Sequence, residues 1–144
     1  MSTNEITVAA EPTNNGLVRR STFECKTLED VIKLTNALNE TISIESIMDG
    51  EVKEPKTFIL SDIVIEPTEV VNDTTGEVTI EPRTVFIRDD GMSISTISRT
   101  VYRSVALFVD NASGKDWRNK VKVTIVEGKS RNKRRYFNVK ISAA

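Results

Sequence analysis

Histidine is absent from this chain of 144 residues, and Cys25 is its only cysteine. Without histidine the usual general base and metal ligand near neutral pH is missing. One cysteine cannot close an intramolecular disulfide and fits a reducing compartment. Aromatic residues make up only 6%, with one tryptophan and two tyrosines, so each ring has to be accounted for individually. No apolar run approaches the roughly 20 residues of a membrane-spanning helix. The opening Met1-Ser-Thr-Asn-Glu-Ile lacks the basic and apolar regions of a secretion signal, and a cytoplasmic protein is expected. There is no phosphate-cradling glycine loop, histidine-based triad or metal-ligand cluster, and Cys25 has no histidine to activate it. Asp89-Asp90-Gly91 reads as turn chemistry before it reads as a cation site. Neither an enzyme nor a cofactor or metal is expected.

The length suits one domain with a real core. The net charge of −1 hides a segregation: residues 1–98 hold 8 Lys+Arg against 18 Asp+Glu, whereas residues 99–144 hold 12 against 3. The balances are −10 and +9. Such an asymmetry points to contact with nucleic acid; the competing reading is solvated faces, or two halves that attract each other.

The positive charge is densest in the last hairpin. Residues 121–126 and 136–141 alternate as strands, and between them five of the seven residues 129–135 are cationic: Lys129, Arg131, Lys133, Arg134 and Arg135. A positive finger between two strands suits a polyanion, because phosphate contacts supply most sequence-independent affinity. An ordinary solvated hairpin loop is the plainer alternative, though like charges so close repel one another unless something compensates.

In chain order, residues 1–21 lack any sustained period and read as a disordered tail, within which Arg19 and Arg20 are solvated or touch phosphate. A short strand is expected over 22–25. Thr27 with Asp30 resembles a capping box, opening a helix over 28–38 with Leu28, Val31, Ile32, Thr35 and Leu38 on one face. Ile42, Ile44 and Ile47 follow with alternation, and Asp49-Gly50 is a turn. This αβ piece reads as an elaboration covering one side or mouth of a barrel over about residues 56–142, within a single domain 22–144.

Residues 57–65 form a strand with Ile59, Ile63 and Ile65 on one face and Phe58, Leu60 and Val64 on the other. Pro67 and Pro82 interrupt the strands on either side of a turn at 72–76, since proline cannot donate to a central ladder. On the returning strand Val85 and Ile87 share one face, Phe86 and Arg88 the other. A third strand is expected over 92–97, and Ser98 caps a helix reaching about Asp110. Trp117 reads as packing.

Strand, strand, strand, helix, strand, strand is the order of the five-stranded OB-fold, a partly open barrel with one internal helix. The expectation is a mainly β protein of that kind with an N-terminal helix and strand extension; an SH3-like barrel or an α+β sandwich would also suit the order. If Val85, Ile87, Phe137, Val139 and Ile141 point inward, Phe86 and Tyr136 point outward as platforms for unstacked bases. The candidate nucleic-acid contacts are then Phe86, Arg88, Lys122, Lys129, Arg131, Lys133, Arg134, Arg135, Tyr136 and Lys140. The alternatives are burial of Phe86 beneath the N-terminal helix and a rim position for Tyr136 held through its hydroxyl.

Asn36-Ala-Leu-Asn39, Ile63-Val-Ile-Glu-Pro67, Glu69-Val-Val71, Thr75-Gly-Glu77, Arg83-Thr-Val-Phe-Ile87, Asp90-Gly91, Ser98 and the terminal hairpin together resemble small bacteriophage-encoded single-stranded DNA-binding proteins over residues 23–142. The resemblance implies an OB-fold, a non-catalytic role in phage DNA replication or recombination, and coating of single strands with little sequence preference. Single-stranded DNA is the implied partner; RNA, replication proteins and further copies of the chain are candidates beside it. The other function class is a protein-interaction or virion module whose acidic half binds a basic partner.

Overall fold

The computed structural model describes residues 19–132 and 134–144. Its elements are β1 (Arg20–Ser21), α1 (Leu28–Asn39), β2 (Thr41–Ser43), α2 (Ile44–Met48), β3 (Thr57–Val71), β4 (Val78–Arg88), β5 (Ser93–Thr96), α3 (Arg99–Ala112), β6 (Val121–Lys129) and β7 (Arg135–Ala143). The order expected from residue 56 onward is the order found. Upstream there are two corrections. The first strand lies at Arg20–Ser21, not 22–25, and the alternating isoleucines end in the short helix α2, where Ser43 caps the turn by accepting from the Ser46 amide at 3.1 Å. Residues 1–18, most of the expected tail, lie outside the described residues.

The molecule is mainly β: a curled, mixed half-barrel sheet of six strands in the order β2-β5-β4-β3-β6-β7, with three helices and with β1 added beside β3. Only β2 and β5 run parallel. The N-terminal piece is therefore partly built into the sheet, as its parallel edge strand, and not only laid over it. Full closure of a five-stranded barrel would add a pairing of β5 with β7. Among the described residues these strands do not pair, and α3 lies alongside, its cap Ser98 donating through Oγ to the Phe137 carbonyl at 3.3 Å.

The main core fills the curl. Phe58, Leu60, Ile63, Ile65, Phe86, Ile94, Val123, Ile125, Phe137 and Val139 meet Val101 and Val105 of α3 and Ile44 and Ile47 of α2. A smaller cluster lies on the opposite face of the sheet, where Leu34 and Ala37 of α1 cover Val64, Val85 and Ile87. The helix starts as its sequence suggests: Thr27 Oγ1 accepts from the Asp30 amide at 3.2 Å and Asp30 Oδ2 accepts from the Thr27 amide at 3.1 Å. Amides of Lys26 and Thr27 hold the Asp30 carboxyl below the usual aspartate range. The buried face differs from the expected one, because Leu28, Val31 and Ile32 are exposed. The inward face instead carries Lys33 beside Leu34 and Ala37, and Lys33 reaches a buried carboxylate, Asp62, at 2.6 Å.

A β-bulge explains why two strand faces read incorrectly in sequence. Leu60 lies opposite Arg88 and Asp62 opposite Ile87, leaving Ser61 as an extra residue. An extra residue shifts the alternation of everything beyond it. Phe58 and Leu60 therefore share the core with Ile63 and Ile65, although strict alternation separates them.

Pro67 and Pro82 do not interrupt the strands; they sit opposite each other in a continuous ladder. Ile63 donates its amide to Thr22 Oγ1 at 2.9 Å and accepts from the Thr22 amide at 3.0 Å, so its polar groups point away from β4. By alternation residue 67 also points away from β4. An amide at that position would have no partner in the β3–β4 ladder, so proline loses nothing there.

Candidate nucleic-acid interface

The β6–β7 hairpin is made by alternation. Val123, Ile125, Phe137 and Val139 are buried in the core, which sends Lys122, Thr124, Val126, Tyr136, Asn138 and Lys140 to the other face. Cross-strand neighbours there are Lys122 with Ser142, Thr124 with Lys140, Val126 with Asn138 and Gly128 with Tyr136. Lys140, Val126 and Tyr136 are exposed, Lys122 half-buried. At the β7 edge Ser104 of α3 donates to Asn138 Oδ1 at 2.8 Å.

Tyr136 keeps its exposed position because its neighbour is glycine. A Cβ on Gly128 would lie 2.5 Å from both Cζ and Oη of Tyr136, so the ring lies directly over the backbone of the opposite strand. With 43% of its surface exposed, the ring is both seated and accessible.

The finger is shorter than its sequence suggests. Pairing continues to Lys129 opposite Arg135, and the loop spans only residues 130–134, closed by the Ser130 amide donating to the Arg134 carbonyl at 2.9 Å. Lys129, Arg131 and Arg134 are exposed, and none of them forms an ion pair among the described residues. Lys133 lies outside the described residues. Arg135 is committed: it pairs with Asp49 at 2.5 Å and Glu127 at 3.0 Å, and its guanidinium lies 4.7 Å from the centre of the Phe137 ring. The hydrogen bond to Asp49, then that to Glu127, raises its pKa further. It ties the root of the finger to the turn after α2.

Phe86 does not point outward as expected, and Arg88 is engaged by carboxylates. Phe86 has no exposed surface and meets Phe58 edge-on, ring centres 5.8 Å apart. Val85 and Ile87, expected inside, face α1 instead. A ring without exposed surface offers no stacking platform. Arg88 is nearly buried and pairs with Glu54 at 2.6 Å and with Asp90. Its hydrogen bond to Asp90 raises its pKa and holds the Asp90 carboxyl below the usual range. Asp90 also accepts from the Met92 amide at 3.1 Å, closing the β4–β5 turn. Arg19 and Arg20 are likewise paired, with Glu66 at 3.6 Å and Asp110 at 2.8 Å. Among the described residues no group of three or more His, Cys, Asp or Glu gathers as a metal site.

One polar centre was not anticipated. Asp62, with no exposed surface, accepts from Lys33 at 2.6 Å, from Arg118 Nε at 2.9 Å and Nη2 at 2.6 Å, and from Thr22 Oγ1 at 2.8 Å. Burial pushes its pKa up; the hydrogen bonds from Arg118, Lys33 and Thr22 outweigh that and hold it below the usual aspartate range. The signal in sequence is an aspartate inside an apolar strand, where a buried charge requires partners. Beside it Trp117 is half-buried, as expected of packing, edge-on to Phe108 at 5.3 Å and with Arg118 5.7 Å from its ring centre. A cavity of about 420 Å³ opens here, lined by Arg20, Ile63, Val109, Lys115, Trp117 and Arg118 among others.

The arrangement left for a ligand is thus a sheet face with one accessible ring, bordered by lysines and ending in a cationic loop. A family model described as phage single-stranded DNA-binding protein matches residues 13–142. Searches of curated proteins and of solved structures gave no match. Nearly the whole length being covered, the chain belongs to the Phi29 phage single-stranded DNA-binding protein family, whose members are non-catalytic DNA-binding proteins.

Proposed function

We propose that the protein coats single-stranded DNA during phage replication or recombination by laying the strand across the outer face of the β6–β7 hairpin. Tyr136 is the platform for a base. Lys140 and Lys122 follow it along the same face away from the loop, and Lys129, Arg131, Lys133 and Arg134 hold phosphates at the finger on its other side. The observation that carries this reading is the union of an accessible ring with unpaired cations on one hairpin, while Arg19, Arg20, Arg88 and Arg135 are each engaged by carboxylates. Stacking and phosphate contacts are indifferent to base identity, which supports binding with little sequence preference.

The architecture is read as an OB-type barrel left open. β3, β4, β5, β6 and β7 follow its order, with β3 between β4 and β6, and the finger occupies the loop between its fourth and fifth strands, one of the two loops such folds use on oligonucleotides. RNA shares phosphates and base faces with DNA and belongs in the same titration.

The test is titration of labelled single-stranded and duplex DNA and single-stranded RNA at two salt concentrations. The wild-type protein should prefer single strands and weaken steeply with salt. Changing Lys129, Arg131 and Arg134 to alanine should lower affinity evenly across sequences and flatten the log–log salt slope by about two, at ~0.7 for each phosphate no longer neutralised. An unchanged slope removes the finger from the interface.

A further inference from the structure

The link from α3 to β6 is tied down along its whole length. The Lys115 amide donates to the Ala112 carbonyl at 2.9 Å, the Trp117 amide to the Lys115 carbonyl at 3.1 Å and the Lys120 amide to the Trp117 carbonyl at 2.9 Å. The Asn119 amide reaches across to the Leu60 carbonyl of β3 at 2.9 Å. Gly114 and Asn119 bracket the link with positive φ, and Asn119 is the only non-glycine residue so placed among the described residues. Such backbone persists where its surroundings hold it. What the link carries is Trp117, steadied by Phe108 and Arg118 and half-buried at the wall of the cavity of about 420 Å³.

That cavity has two characters. One wall is apolar, made by the buried Ile63 and Ile65 of β3 with Val109 of α3 beside them. The other is cationic. Lys115 is exposed and forms no ion pair among the described residues. Arg118 spends Nε and Nη2 on Asp62 and the Thr22 carbonyl, and Arg20 spends Nη2 on Asp110. Each guanidinium is thus fixed in place with N–H groups to spare, and the nearby carboxylates are already answered. Asp116 is answered too, by Lys120. Neither the indole Nε1 nor the Ser113 hydroxyl forms a hydrogen bond among the described residues.

A ring facing aliphatic side chains suits a planar heterocycle, and the cations suit an anion joined to it. Uncommitted N–H and O–H groups fit the polar edge of a base better than an acyl chain. The volume falls within the roughly 300–1,000 Å³ of small-molecule sites. We infer that the cavity is a second binding site, for a nucleoside monophosphate unit, with the base between Trp117 and the β3 isoleucines and the phosphate at Lys115. It is separate from the hairpin face: Tyr136 lies opposite Gly128, near the finger, whereas the link joins β6 at its other end, Val121. A free nucleotide and one unit of a DNA strand offer the same chemistry.

Trp117 is the only tryptophan, so fluorescence excited beyond tyrosine absorption reads this cavity alone. In the full-length protein dAMP and dTMP should each change it saturably. Deoxyadenosine should bind several-fold more weakly, and inorganic phosphate should leave the signal unchanged. Lys115→Ala should weaken nucleotide binding several-fold. Ser113→Phe, at an exposed position of the wall, fills the cavity and should remove the response at an unaltered melting temperature. Changing Lys129, Arg131 and Arg134 to alanine should leave the mononucleotide response as it is. A response to a short oligonucleotide that Ser113→Phe removes assigns the site to a strand; a response to mononucleotides alone assigns it to free nucleotide. No saturable response to either ligand overturns the inference. So does a response that survives both Lys115→Ala and Ser113→Phe, that deoxyadenosine or phosphate matches, or that disappears in the finger variant. A protein that fails to bind oligonucleotides yet still answers dAMP sinks the strand reading and leaves this site standing.

Discussion

Phe86 and Tyr136 are two rings with opposite duties, and alanine substitution separates them. Phe86→Ala empties part of the core beside Phe58 and is expected to cost about 3–5 kcal/mol of stability, visible as a large drop in melting temperature. Tyr136→Ala should leave the melt nearly intact and weaken strand binding by ~1–3 kcal/mol. Gly128→Ala keeps every cation in place but forces the Tyr136 ring off its seat. Its expected signature is weaker binding at an unaltered salt slope, measured on the same oligonucleotides. The sequence pattern could not assign Phe86, because β4 carries apolar residues on both faces through Val85, Phe86 and Ile87. Alternation separates two faces; which one meets the larger core depends on what covers each. Tyr136 was legible because its neighbours Asn138 and Lys140 are polar.

At the scale of elements, the caps, turns and strand order were readable because they rest on local chemistry. Thr27 with Asp30 and Ser98 with Val101 act as written, Ser98 Oγ accepting from the Val101 amide at 3.3 Å. The misread parts depend on distant partners. Nothing near Ser61 announces the bulge, and the inward face of α1 is set by a carboxylate 29 residues from Lys33. The finger's boundaries moved for a similar reason, since Arg135 is drawn into the ladder by Asp49 and Glu127. Arg135→Ala should therefore act on mobility as well as charge: amide exchange at the finger's root should quicken more than in Arg134→Ala.

Across the whole molecule, Asp62 joins four parts of the chain that are far apart in sequence: the segment after β1 through Thr22, α1 through Lys33, β3 itself, and the link before β6 through Arg118. Its folded pKa is depressed, so the unfolded chain binds the proton more readily. Its stabilisation is fully present above the ordinary aspartate value near 3.9 and is lost as pH falls through the lower folded value. Asp62→Asn should melt well below wild type at neutral pH, toward the lower end of the roughly 3–5 kcal/mol for a broken buried ion pair, because Lys33 and Arg118 can turn to water. The gap should narrow as both proteins are acidified below pH 4; a constant gap would show that packing, not charge, is what the substitution removes.

The facing prolines of the β3–β4 hairpin bear on what the proposed coat would have to avoid. Free strand edges invite further strands, and a protein gathered at high density on a filament brings such edges repeatedly together. Pro67 and Pro82 turn their ring nitrogens toward the two outer edges, where an added strand would look for a donor and find none. The hairpin thus resists being extended at its sides, which disfavours fibrous aggregation.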